Sequence, residues 1–235
     1  MAEYMEKRFK KTSHRNFSDL KALIAFTLAE VLIVLGIIGV IAAITIPTLL
    51  QNAEESQAKA SVKVAYSILT QAMTQIISQN SGSIVGICED WDGACFKNMF
   101  KDVLKYVKEC DTLPITNKCW IANNFSDGTY YGVDGTSPGG MGGAVLQNGM
   151  LMLFRYHKKD CSLAANWACG WIGVDINGFK KPNRWGKDVF MFSVGKEIIK
   201  PAGVDGDTGN FRTCNSTDTG DYSGWGCTAK YLYEN

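Results

Sequence analysis

Residues 26–50 read FTLAEVLIVLGIIGVIAAITIPTLL, and this stretch decides what the rest of the chain must be. As a helix rising about 1.5 Å per residue it is roughly 37 Å long, enough to cross a hydrocarbon core of about 30 Å. Six basic residues (Lys7, Arg8, Lys10, Lys11, Arg15 and Lys21) precede it against three acids (Glu3, Glu6 and Asp19). The positive-inside rule therefore places residues 1–25 in the cytoplasm and everything after residue 50 on the other side. All eight cysteines (Cys88, Cys95, Cys110, Cys119, Cys161, Cys169, Cys214 and Cys227) follow the apolar stretch. An even number on the far side of a membrane-length segment, with no CxxC pair, implies disulfides in an oxidising compartment rather than a zinc site.

Glu30 stands out within the span, because an ionised carboxylate near hydrocarbon costs several kcal/mol unless a cation pairs with it. Were the chain cut between Ala25 and Phe26, the new α-amino group of one copy could pair with Glu30 of a neighbour as their helices pack side by side. Pro47 removes a backbone hydrogen bond and crowds the preceding turn, so a kink or local unwinding is predicted there, or else the membrane exit. Gly36 and Gly39 offer small surfaces for close helix packing.

The segment AFTLAEVLIVLGIIGVIAAITIP resembles the N-terminal cleavage and methylation segment of type IV pilins and type II secretion pseudopilins, through its basic leader, the small residue before the cut, and Phe26, Glu30 and Pro47 at family spacing. The resemblance implies cleavage after Ala25 by a prepilin peptidase, methylation of the Phe26 amine, and assembly through Phe26 and Glu30. It implies a single-pass protein of the bacterial inner membrane, its N-terminus cytoplasmic and its body periplasmic or extracellular, which then joins a filament. Expected partners are copies of itself and other pilin-like subunits, the peptidase, an inner-membrane assembly platform and the lipid bilayer. The family usually has Gly where Ala25 stands, Ala29 replaces a larger aliphatic residue, and the leader is longer than many.

Other readings of the N-terminus are an ordinary secretory signal and a membrane-tethered or secreted binding or adhesion protein. The first fits poorly, since the run is long for a signal, contains Glu30 and has no A-x-A site before Pro47. Removing residues 1–25 leaves 18 basic and 20 acidic residues. That faintly acidic remainder lacks the clustered Lys and Arg that phosphate contacts require, so no specific nucleic acid is expected as a partner.

Beyond the span, apolar residues recur at Val62, Ala65, Ile68, Leu69, Ala72, Met73, Ile76 and Ile77, a 3.6-residue period that predicts an amphipathic continuation of the helix. A second amphipathic stretch, Phe96, Met99, Phe100, Val103, Leu104 and Val107, predicts a short helix. Strand signals follow at Cys119–Ile121, Ala144–Leu146, Met150–Tyr156, Trp171–Ile176 and Lys187–Val194. The Asn148-Gly149 pair predicts a type I′ hairpin. The expected organisation is a leader over 1–25, a membrane or filament-core helix over 26–50, its amphipathic continuation over 51–83 and a globular body over 84–235. The fold class is α+β, a long helix packed on a small antiparallel sheet with disulfides. By the resemblance it is pilin-like.

VDINGFKKPNRWGKDVFMF, residues 174–192, resembles a C-terminal hairpin of bacterial pilin-like proteins. Asp175, Asn177 and Asp188 there offer oxygen ligands for Ca²⁺, which major pseudopilins hold in a C-terminal loop, although Asp and Asn also suit turns through local hydrogen bonds. Asp205 and Asp207 allow a similar reading. Eight cysteines allow 105 connectivities; sequential pairing joins Cys88 to Cys95, Cys110 to Cys119, Cys161 to Cys169 and Cys214 to Cys227. Trp185, Tyr222 and Trp225 present either an adhesive surface or core. No GxSxG, HExxH or phosphate-binding loop occurs, and His157 reads as a surface strand residue rather than a base, so no enzyme activity is expected.

Overall fold

The computed structural model describes residues 27–124, 130–131, 140–163, 169–204, 214 and 223–234. Ala25, Phe26, Asp205, Asp207 and Tyr222 lie outside them. The chain divides into two compact units at residue 51.

The first unit is the apolar half of helix α1 (Leu28–Gln79). Its mean hydropathy reaches 2.6 over an 18-residue window, long and apolar enough to cross a membrane. Every Leu, Ile and Val from Leu32 to Leu50 is more than half exposed. Helix α1 continues through Pro47, so the local unwinding predicted there is not seen. Thr45 Oγ1 donates to Ile41 O (3.0 Å) and Thr48 Oγ1 to Thr45 O (2.8 Å), so these hydroxyls find acceptors on the helix itself.

The second unit is α+β. After α1 come α2 (Gly93–Met99), α3 (Lys101–Leu104), β1 (Tyr106–Cys110), β2 (Asn123–Asn124), β3 (Tyr130–Tyr131), β4 (Gly142–Leu146), β5 (Leu151–Tyr156), β6 (Gly170–Asp175), β7 (Val189–Val194), β8 (Ile199–Pro201) and α4 (Cys227–Tyr233). Six strands form one sheet in the order β1-β4-β5-β6-β7-β8, each neighbouring pair antiparallel; β2 and β3 pair separately.

The central strands LMLFRY, GWIGVD and VFMFSV are apolar on both faces, and both faces are buried. One face carries Met152, Phe154, Ile172, Val174, Phe190, Phe192 and Val194, covered by Val62, Ala65, Leu69, Ala72, Met73 and Ile76 of α1 and by Phe96 and Phe100 of the short helices. The rings of Tyr66 and Phe192 stack at 6.0 Å. The other face carries Leu151, Leu153, Trp171, Val189 and Met191, packed with Trp120, Trp185 and Trp225. Trp185 and Trp225 are therefore core, which removes the adhesive-surface reading for both. Helix α4 is tied to the sheet by Thr228, whose hydroxyl donates to Met191 O (2.7 Å) and accepts from Met191 N (3.0 Å).

The structure joins Cys88–Cys95, Cys110–Cys119, Cys161–Cys169 and Cys214–Cys227, partners 7, 9, 8 and 13 residues apart in the chain. Helix α1 ends at Gln79, where Gly82 N bonds Ile77 O (2.8 Å) with φ of +86° at Gly82. The second amphipathic stretch divides into α2 and α3, then stops where Lys105 adopts φ of +51°. Val107 consequently lies on β1 and is exposed. Cys119–Ile121 forms no regular strand. The β4–β5 turn is not type I′, because Gly149 has positive φ (+85°) while Asn148 does not. Leu146 N bonds Met150 O (2.9 Å) around three residues, a type I turn closed by a glycine.

His157 corrects the surface reading. It follows β5 directly and is 5% exposed, its ring edge-on to Trp91 at 4.9 Å. Burial, then the charge of Arg155, pushes its pKa down from 6.5 to about 3. The folded protein thus keeps His157 neutral where the unfolded chain would protonate it. Its contribution to stability is complete above about pH 6.5 and is lost as pH falls from there towards 3. In urea titrations of the detergent-solubilised protein, the fall in unfolding free energy between about pH 7 and about pH 4 should be steeper for wild type than for His157→Gln. Equal pH slopes for the two proteins would contradict this assignment.

Candidate functional site

Two places gather the residues singled out by the sequence. The first is the start of α1. Thr27 is the residue before the helix and Glu30 the third within it, and the two satisfy one another. Glu30 N donates to Thr27 Oγ1 (3.2 Å), while Thr27 N and Thr27 Oγ1 both donate to Glu30 Oε2 (2.9 Å each). This is a capping box, which fills two of the helix's free backbone donors. Thr27 was missed by sequence reasoning, although Thr-x-x-Glu ahead of an apolar run is the readable signature of such a box. The box uses one carboxylate oxygen, Oε2.

The second place is the turn joining β6 to β7. Ile176 N bonds Asp188 O (2.9 Å) and Val189 N bonds Arg184 O (3.0 Å), so the turn is closed on itself. Gly178, Asn183 and Gly186 adopt φ of +73°, +53° and +77°. A Cβ on Gly178 would sit 2.6 Å from Gly149 O, and one on Gly186 2.8 Å from Cys227 Sγ. The turn is thus pressed between the β4–β5 hairpin and the start of α4. Gly173 leaves room for the Trp185 and Trp120 rings at 3.1 and 3.5 Å from where its Cβ would be.

This packing brings Asp175, Asn177 and Asp188 together. Asn177 N donates to Asp175 Oδ1 (3.2 Å), and Asn177 Nδ2 donates to Asp188 Oδ2 (3.0 Å). Asp188 also accepts from Asn183 N (2.8 Å, Oδ2) and Arg184 N (2.6 Å, Oδ1). Asp175 is wholly buried and Asp188 4% exposed. Burial first, then repulsion from Asp188, pushes the Asp175 carboxyl up to about 8. Burial raises Asp188 as well, against the hydrogen bonds from Arg184 and Asn183. Asn183 joins the group although sequence reasoning passed over it; the signal was an Asn five residues before an Asp in a segment already singled out.

Among the described residues no group of three or more His, Cys, Asp and Glu is placed to hold a metal, and the turn itself contributes two carboxylates and two carboxamides. No model of a protein family, no curated protein and no solved structure matches this chain.

Asp188 accepts two main-chain donors and one amide inside a buried turn, and Asp188→Ala leaves all three without it. The loss should be about 2–4 kcal/mol of unfolding free energy, read from chemical denaturation, with Asp188→Asn costing less because its carbonyl oxygen still accepts.

Proposed function

We propose that this chain is a filament subunit of the type IV pilin and type II secretion pseudopilin kind, made with a leader that is removed after Ala25 and assembled through the Phe26 amine and Glu30. The supporting observation is the surface of residues 28–50: an apolar helix whose side chains the chain itself leaves exposed, bearing a single carboxylate four residues after Phe26. Such a surface requires lipid or other apolar helices around it. Gly36 and Gly39 have nothing of the chain within 4 Å of where a Cβ would be, so another helix can approach there closely. The lone Glu30 carboxylate needs a positive partner in that environment. The capping box engages Oε2, which leaves the carboxylate a second oxygen for the amine of a neighbouring copy.

The second half of α1 supports the same reading by covering one face of an antiparallel sheet. One long helix, apolar in its first half and packed through its second half on the antiparallel sheet of a disulfide-bonded body, is what the pilin-like reading expects. The alternative, a tethered or secreted binding protein, loses support because Trp185 and Trp225 are buried.

Intact mass and N-terminal sequencing of the membrane-extracted protein should give a chain that starts at methylated Phe26. A start beyond Pro47 would mean an ordinary secreted protein, and an uncut chain a simple anchor. Glu30→Val should still be membrane-inserted and cleaved yet fail to enter sheared filaments; normal incorporation of this variant would rule out the assembly role of Glu30.

A further inference from the structure

We infer that the β6–β7 turn docks on a membrane of anionic lipid, with Phe179 set into the interface and Lys180, Lys181, Arg184 and Lys187 against the headgroup phosphates. The inference rests on the reading of residues 28–50 as embedded in lipid, and it concerns the single subunit rather than its assembly.

Its basis is a separation of charge within one turn. Residues 179–187 read FKKPNRWGK, with four cations and no acid. Lys180, Lys181 and Lys187 are exposed and Arg184 is half-buried. Among the described residues none of the four takes part in a salt bridge, whereas Lys101, Lys158 and Lys159 are matched by Glu109, Asp90 and Glu89. The acids of the turn, Asp175 and Asp188, are drawn inside: both are buried, and Asp188 accepts from Asn177, Asn183 and Arg184. Phe179 stands beside the cations and is 51% exposed, a large ring that the core does not use. An apolar ring flanked by long cationic side chains suits the boundary between hydrocarbon and headgroups.

The packing of the body says which end of it carries this turn. Lys196, beyond the far end of β7, accepts from Ile84 N (3.0 Å), just past the C-terminus of α1. Midway along, Tyr66 stacks on Phe192. At the near end the Tyr231 ring meets Phe190 at 4.7 Å, and its hydroxyl is raised by burial, then by the charges of Glu55 and Asp188. Helix α1 and strand β7 therefore advance side by side, and the turn lies at the end of the body where Glu55 stands. Glu55 is five residues after Leu50, so by chain length this end is within reach of whatever surrounds residues 28–50.

That position selects among polyanions. A nucleic-acid duplex would engage the cations and leave Phe179 in water, whereas an anionic membrane takes both. The turn is already held in shape, with Gly178 pressed on Gly149 O and Asp188 holding Asn183 N and Arg184 N, so docking orders little additional chain.

The test reconstitutes the full-length protein into vesicles of phosphatidylcholine alone or with about one-third phosphatidylglycerol, each containing phosphatidylcholine brominated near the headgroup end of its acyl chains. Phe179→Trp adds an emitter at the turn, read as the difference from wild type. Its added emission should be quenched several-fold more in the phosphatidylglycerol vesicles. Sodium chloride at about 0.5 M, which shortens the screening length to about 4 Å, should abolish that difference. Adding Lys180→Glu and Lys181→Glu should do the same, since each cation near such a surface favours contact roughly fivefold. Equal quenching in the two kinds of vesicle, or undiminished quenching in the charge-reversed variant, would overturn the inference. So would a DNA duplex that binds the wild type in detergent while phosphatidylglycerol leaves the turn unaffected, an outcome that assigns the cations to nucleic acid. Flotation with the neutral vesicles reads the span separately: protein that floats without charge-dependent quenching refutes the docking alone, and protein that stays in solution refutes the span and the docking with it.

Discussion

The body depends on one constraint: strands β5, β6 and β7 are apolar on both faces, so neither face can be left to water. An antiparallel sheet commonly buries one face and wets the other. Here the first face takes the lower half of α1, whose Val62, Ala65, Leu69, Ala72, Met73 and Ile76 lie on a single stripe. Among the described residues no long helix covers the second face. It is closed by large rings, Trp120, Trp185 and Trp225, delivered by connections with little secondary structure. Disulfides suit that arrangement, since loops that cannot bond themselves into regular elements need another restraint on their conformational freedom. Cys110–Cys119 ends beside Trp120 and Cys214–Cys227 beside Trp225, so two of the four bridges sit next to the rings they help to place.

Lys97 shows the same logic in a polar group. It is wholly buried on α2, and its ammonium is paired with Glu109 of β1 (3.2 Å) and with Asp111 just beyond. Tyr106 donates to its main-chain oxygen (2.8 Å). A charge inside a small body is tolerated when its partners surround it. The β6–β7 turn is the opposite case, with two carboxylates of one sign that form no salt bridge among the described residues. The two sites answer burial differently: Lys97 has its counter-charges within the chain, and Asp188 is held by hydrogen-bond donors of its own turn.

Much of this was readable in the residues. The apolar block and the 3.6-residue stripe after it gave α1 as one element, and the strands with β-branched and aromatic runs, β5 to β7, were found because apolar content alone marks them. What periodicity could not see was chain reversal. Lys105 ends α3 through a left-handed backbone, which no hydrophobic pattern announces, and Val107 therefore fell on a strand although its spacing suited a helix. The Asn148-Gly149 pair marked the right hairpin with the wrong turn, because a three-residue loop satisfies the same glycine. Asp175, Asn177 and Asp188 were singled out together through the resemblance to a pilin-like hairpin, whereas Asn183 required the folded turn, in which its main-chain N–H reaches Asp188.

Under the proposed reading Glu30 meets two requirements in succession. A bare carboxylate at the start of an apolar helix would be costly to carry in a membrane while the chain waits for a neighbour. In the capping box it serves the helix at once, accepting from Thr27 N and Thr27 Oγ1 and placing negative charge at the positive end of the helix dipole. The carboxylate is therefore satisfied in part within a single chain, and its remaining hydrogen-bonding capacity is available to an amine that only assembly would bring. Under the proposed reading the cap keeps the waiting subunit stable, and the unfilled part of the carboxylate supplies the preference for a partner. A hydrophobic residue at this position would insert more readily but would give assembly nothing polar to recognise.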